Sequence, residues 1–192
     1  MKRLKNILTR AIVFAAIILC SNYLHATDMG NPVTFQPVAQ IQSPPKAIAK
    51  KYLSHIQIQE AAAVLSARLQ RPYKGIVAIT RGGMVPATLL AQHLDIRDIR
   101  TISIASYNKE GQRGQLKVIH QPDLANQGEG YLFVDDLVDS GETLKLIRTL
   151  YPKADFVVLY AKPEGKAAAD VFAIEVPQDE WLVFPWELEG AA

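Results

Sequence analysis

Cysteine is almost absent from this chain, with Cys20 the single one among 192 residues. That excludes both a disulfide framework and a cysteine-based zinc site. Histidine is nearly as scarce. His25, His55, His93 and His120 show none of the spacings, such as H-E-x-x-H, that bring two imidazoles to one metal, so they read as surface or packing residues. Surplus charge is missing as well. The formal net charge is +2, but Lys2, Arg3, Lys5 and Arg10 all fall in the first ten residues; without these four, 21 basic residues become 17 against 19 acidic ones, or −2. Nucleic acid requires a clustered basic face, and this chain has none to offer it. No internal repeat is present, and the apolar run Ala11 to Cys20 is too short to cross a bilayer comfortably.

What is present divides into three parts. Residues 1–26, "MKRLKNILTRAIVFAAIILCSNYLHA", combine a basic start, an apolar core and a small-residue end at Leu24-His25-Ala26, which reads as a signal-like or membrane-contacting segment. Residues 27–50 carry four prolines in polar spacing with no period and read as an extended linker. Residues 51–192 are the body. With 49% hydrophobic and 21% charged residues overall, the chain can bury one core, so one folded domain is expected.

Within the body, "HIQIQEAAAVLSARLQ" places Ile56, Ala63, Val64 and Ala67 at helical spacing, and Arg71-Pro72 closes the helix. The runs "GIVAI", "IRTISIAS", "YLFV" and "DFVVLYA" have strand length. "MVPATLLAQHL" and "ETLKLIRTLY" are helical. Strands alternating with helices predict an α/β fold with a mostly parallel sheet covered on both faces, and ligands then bind at the carboxyl ends of the strands.

One such end is chemically unusual. In "YLFVDDLVDSGETLKLIR" the strand is expected to stop at Val134, and the turn delivers Asp135, Asp136 and Asp139 before Ser140, Gly141 and Thr143 open a helix. Hydroxyls and free backbone N–H groups at a helix start wrap a phosphate. There is no G-x-x-x-x-G-K-[ST] loop, so this is not a nucleoside-triphosphate cradle of that kind. Adjacent carboxylates repel a polyanion unless they hold ribose hydroxyls or a Mg2+ that the ligand also coordinates. The pattern suits a sugar with a phosphate at one end and a metal-bound pyrophosphate at the other.

"YLFVDDLVDSGET" resembles the 5-phosphoribosyl pyrophosphate (PRPP) signature of the type I phosphoribosyltransferases. Together with "KGIVAITRGGMVPATLLA", "SYNKEGQRGQLKV", "YPKADFVVLYAKPEGK" and "VPQDEWLVFPWE", in that order, it is similar to the bacterial xanthine-guanine branch, from Lys51 to Glu187. The resemblance implies a type I fold with a small C-terminal base-binding hood. It implies a purine salvage enzyme that moves 5-phosphoribosyl from PRPP to N9 of a 6-oxopurine (xanthine, guanine or hypoxanthine), with Mg2+. Arg81 and Gly82 would hold pyrophosphate, with a cis Thr80-Arg81 peptide. Asp135 and Asp136 would face the ribose hydroxyls, and Asp136 the metal. Ser140, Gly141, Glu142 and Thr143 would cradle the 5′-phosphate. Asp139 would be the catalytic residue at purine N7, Lys162 would donate to the 6-oxo group, Trp181 would stack on the base and the Leu182 backbone would meet C2. "SYNKEGQRGQLKV" would be a closing loop that brings in Arg113.

Two departures stand out from the relatives' pattern: Ser140 where they have threonine, and Glu142 where they have glycine. The spacing around Arg113 also differs, with Gly114-Gln115 and a longer "IHQPDLANQGEG". A PRPP-binding regulator on the same fold, and a surface module that lost its chemistry, are the alternatives. A homotetramer or homodimer is implied by the resemblance, as is peripheral contact with the inner membrane. The active site is expected in the cytoplasm, where the donor is made; cleavage after Ala26 and export is the competing expectation, and a translation start at Met29 would remove the segment.

Overall fold

A strand that is apolar on both sides needs a layer of helix on each face, and the chain is built to supply them. The computed structural model describes residues 49–107 and 114–187. In order these form β1 (Ala49–Tyr52), α1 (His55–Arg68), β2 (Gly75–Thr80), α2 (Met84–His93), β3 (Ile99–Tyr107), β4 (Gln115–His120), β5 (Tyr131–Val138), α3 (Glu142–Leu150), β6 (Asp155–Ala161), β7 (Val171–Glu175) and β8 (Glu180–Val183). Residues 1–48, 108–113 and 188–192 lie outside this description, and with them the signal-like segment, nearly all of the linker, and Arg113.

Six strands form one sheet in the order β4-β3-β2-β5-β6-β7, parallel except for the β3–β4 pair. The apolar runs divide by parity. Ile76 and Ala78 of β2, Leu132 and Val134 of β5, and Val157 and Leu159 of β6 pack with α1 and α2. Val77, Ile79, Phe133, Phe156 and Val158 pack with Leu144 and Ile147 of α3. On this second face the Phe133 ring stacks on Phe156 at 5.1 Å and lies 5.0 Å from Tyr151. Each such buried ring contributes roughly 1.5–3 kcal/mol.

Helix α1 starts on a capping box: Gln57 N donates to Ser54 Oγ, and Ser54 N donates to the Gln57 side chain at 2.8 Å. Helical spacing alone does not fix which stripe of this helix faces the core. Ile58, Ala61, Ala62 and Leu65 are buried, whereas Ile56, Ala63, Val64 and Ala67 face solvent. The helix is apolar on two sides, so helical spacing fits either stripe, and only the position of the sheet selects one.

Three further differences follow from pairing over long range. Strand β5 does not end at Val134. Its ladder with β2 stops there, at Ala78↔Val134, but its ladder with β6 continues through Asp135↔Val158 to Val138↔Ala161, so both aspartates stay on a strand. The ends of "SYNKEGQRGQLKV" are strands β3 and β4, not loop. Strand β1 begins at Ala49 and pairs in parallel with β8, from Ala49↔Glu180 to Tyr52↔Val183, as a separate two-stranded sheet.

The connections from β2 and β5 diverge, since α2 leads to β3 on one side and α3 to β6 on the other. The carboxyl ends of β2 and β5 therefore flank a switch point, where open α/β sheets bind ligands. Gly83, which opens α2, packs directly on this point: a Cβ there would lie 2.0 Å from the Val134 carbonyl oxygen. Gly83→Ala is expected to destabilise the fold by about 2–4 kcal/mol, measured as a lowered urea midpoint with an unchanged denaturant slope.

Candidate active site

Two glycines and one strand end make the first half of the site. Beyond β2 the chain turns through the cis peptide Thr80-Arg81, and Gly83 N donates back to Ile79 O at 2.8 Å. The Thr80 hydroxyl donates to Ile102 O at 3.2 Å, anchoring the turn to β3. Gly82 lies against the Asp136 carboxylate, so a Cβ at that position would come within 2.5 Å of both oxygens. Here a side chain is excluded by the approach itself. A cavity of about 540 Å³ opens over the turn, lined by Arg81, Gly82, Asp135, Asp136, Thr143 and Glu187 among others.

The two aspartates are held largely out of water side by side, with Asp136 N donating to Asp135 Oδ1 at 3.0 Å. Burial, followed by repulsion from Asp136, pushes the Asp135 carboxyl well above its ordinary range. Burial also pushes Asp136 up, to about 6, against the pull of its backbone amide contacts, and Glu187 adds to the rise. Two adjacent carboxylates held in this way are the kind of set that accepts Mg2+. Among the described residues no cluster of three or more His, Cys, Asp or Glu is placed to hold a metal. Mg2+ is commonly held by one or two carboxylates together with substrate phosphates, and that is the arrangement these residues fit.

The second half is built on α3. Its N-cap is Gly141 at φ 80°, a left-handed conformation with no side chain to cap the helix. Gly141 is also tightly enclosed, with Ala168 Cβ 2.9 Å from where its own Cβ would stand. Ser140 and Glu142 line a second cavity of about 430 Å³ with Asp139, Glu164 and Gln178. Glu142, at the first position of the helix, is exposed.

Asp139 and Lys162 come together here. Lys162 is only 6% exposed, its backbone N donates to Val138 O at 2.9 Å, and its Nζ lies 3.4 Å from Asp139 Oδ2. Asp139 Oδ1 accepts 2.7 Å from Gln178 Nε2. Leu182 is buried on β8 and, like its neighbour Trp181, lines neither cavity. Trp181 is 49% exposed. Gln178, Trp186 and Glu187 were not singled out from the sequence. All three fall in "VPQDEWLVFPWE", but a neutral amide and a C-terminal acid carry no motif of their own.

Because the Asp136 carboxyl is raised from 3.8 to about 6 in the folded chain, the folded state holds this proton more tightly than the unfolded one. The resulting stabilisation is complete below the unfolded value and is lost as pH rises through about 6. Asp136→Asn is expected to flatten this fall and to raise the melting temperature of the ligand-free protein at pH 7.5, by about 2–4 °C per kcal/mol recovered. Calorimetry from pH 4 to 8 without Mg2+ checks it.

A family model described as "Phosphoribosyl transferase domain" matches residues 46–191. A xanthine-guanine phosphoribosyltransferase of Gluconobacter oxydans is 48% identical over 135 residues, covering 68% of this chain and 80% of that protein. One from Ruegeria sp. is 51% identical over 122 residues, covering 60% and 69%. Among solved structures, the purine phosphoribosyltransferase of Pyrococcus horikoshii superposes with a TM-score of 0.62 at 27% identity, covering 72% of this chain and 94% of that one. The xanthine-guanine-hypoxanthine enzyme of Helicobacter pylori gives the same score and identity, covering 73% and 95%. With the matched segment spanning the sheet, the acid pair and the helix start just described, the chain belongs to the phosphoribosyltransferase family.

Proposed function

We infer that this protein is a purine salvage enzyme, transferring the 5-phosphoribosyl group of PRPP to N9 of a 6-oxopurine, xanthine or guanine and also hypoxanthine. The observation that carries the base assignment is the buried Lys162 ammonium facing Asp139 at 3.4 Å, at the same strand edge as the acid pair. Relatives at 46–51% identity are named xanthine-guanine phosphoribosyltransferases, which supports transfer over the regulatory reading.

The residues divide the work by charge. The 5′-phosphate sits on the α3 start, held by the Ser140 and Thr143 hydroxyls and by the Gly141 and Glu142 backbone. Asp135 and Asp136 hold the ribose hydroxyls, with Asp136 on the metal side. Arg81 and the Gly82 amide take the pyrophosphate. When bound, Mg2+ supplies positive charge that offsets the acid pair and the pyrophosphate. As the C1–oxygen bond breaks and the C1–N9 bond forms, positive charge grows on the ribose and negative charge on the departing pyrophosphate. Preorganised charge around the two outweighs other contributions in such sites. N9 reacts with the base proton managed at N7 by Asp139. Trp181 covers the base, the Leu182 backbone meets C2, and Arg113, which lies outside the described residues, contributes a contact to the nucleotide.

An ammonium donates and cannot accept, so Lys162 favours an oxygen at C6 and disfavours an amino group. Comparing kcat/KM for four purines is expected to put adenine below xanthine, guanine and hypoxanthine by about 10²-fold or more. Asp139→Ala is expected to lower kcat about 10²–10⁴-fold, with PRPP affinity measured by calorimetry little changed. Adenine leading the comparison, or an Asp139→Ala enzyme with wild-type turnover, overturns the base site.

The wider setting is part of the same reading. The catalytic domain begins with β1 at Ala49 and not at residue 51; the residues before it, from 27, are a tether and 1–26 a segment lying in the membrane interface, with the active site in the cytoplasm. The enzyme assembles as a homodimer or homotetramer. Among the described residues no helix is long and apolar enough to cross a membrane. N-terminal sequencing from the native host, with protease accessibility in spheroplasts, is expected to show a body protected from external protease. A mature chain starting at Thr27 and digested from outside contradicts this.

A further inference from the structure

Gln178 lies in the connection between β7 and β8, where no role has been assigned, yet it meets two other connections at once. Its Oε1 accepts from the Glu164 backbone N–H at 3.0 Å, and its Nε2 donates to Asp139 Oδ1 at 2.7 Å. Chemistry fixes the orientation of this carboxamide. The Glu164 N–H can only donate, so it must face the amide oxygen, and the NH₂ is left to face the carboxylate. The turn that follows Lys162 rests directly on the Asp139 backbone: a Cβ on Gly165 would fall 2.3 Å from Asp139 O. The loops after β5, β6 and β7 thus converge on one carboxylate.

We propose that Gln178 is a positioning residue, which fixes the Asp139 carboxylate through Oδ1 and leaves Oδ2 to handle the proton of the base. The inference rests on the assignment of Asp139 to the base. With Oδ1 committed as an acceptor, any proton Asp139 carries sits on Oδ2, the oxygen that faces Lys162 at 3.4 Å in the ligand-free site. The purine edge enters between these two groups. Lys162 transfers its contact from Oδ2 to the 6-oxo group, and Gln178 keeps the carboxylate from rotating as its partner leaves. A free carboxylate, 58% exposed as Asp139 is, would otherwise turn toward water. The same amide couples the strand bearing Trp181 and Leu182 to the acid they work beside.

Gln178→Glu is the discriminating variant. It is isosteric and still accepts from Glu164 N–H, but it replaces the donor to Asp139 with a second carboxylate. A residue that merely tethered the loops through the Glu164 amide would keep that tether in this variant. We expect Gln178→Glu and Gln178→Ala each to lower kcat/KM for guanine about 10–100-fold, with KM for PRPP unchanged and melting temperatures near wild type. In an Asp139→Ala background, Gln178→Ala is expected to add less than about twofold, because the two side chains act as one unit. Wild-type kinetics in Gln178→Glu, or a full Gln178→Ala penalty persisting in the Asp139→Ala background, overturns the proposal. Wild-type turnover in Asp139→Ala alone overturns instead the base assignment beneath it. Should Gln178→Ala fail to fold, Gln178→Glu singly and combined with Asp139→Ala gives the same cycle.

Discussion

The site depends on how closely the turn after β2 lies on the end of β5. Gly82 touches the Asp136 carboxylate and Gly83 the Val134 carbonyl, at separations that leave no room for a methyl group. That contact closes the switch point of the sheet and takes two carboxylates out of water, raising both above their ordinary range. It also puts the Arg81 backbone within the same cavity wall as the acids. Without it, Asp135 and Asp136 would be a solvated pair at a strand end, with little reason to seek a cation.

Stability and chemistry therefore pull against each other at this edge. A buried acid pair strains the ligand-free fold, and the packed layers on both faces of the sheet carry that burden. Phe133, one residue ahead of the switch point in β5, is fully buried between Phe156 and Tyr151 and holds the strand from behind. At the other end, α3 begins without a side-chain cap, a second local weakness at a helix start, where an anion is favoured. Both weaknesses lie at the carboxyl edge of the sheet, where open α/β sheets bind ligands.

Local chemistry was legible in the sequence wherever one stretch contained the whole device. The acid pair, the hydroxyl-glycine helix start and the alternation of strand and helix each occupy a few consecutive residues, and their order carried the resemblance. The extent of β5 was not legible, because Asp135 and Asp136 are poor strand residues held in the ladder only by β6. Strand β1 is exposed along its length and has no apolar period to reveal it. The face of α1 was ambiguous by composition. Gln178 acts through contacts 39 and 14 residues away, and an uncharged side chain with such partners leaves no local trace.

The pairing of β1 with β8 has a consequence for how the protein is made. Lys51 and Glu180, joined at 3.5 Å, are 129 residues apart, and Leu53 N donates to Val183 O across the same span. During synthesis the first strand of the body waits for nearly the last, since a contact of such separation forms only after the intervening chain has emerged. All six strands of the large sheet, through β7, precede β8 in the chain, so that sheet can be organised while β8 is still on the ribosome. A nascent chain thus completes its large sheet before the small one can close.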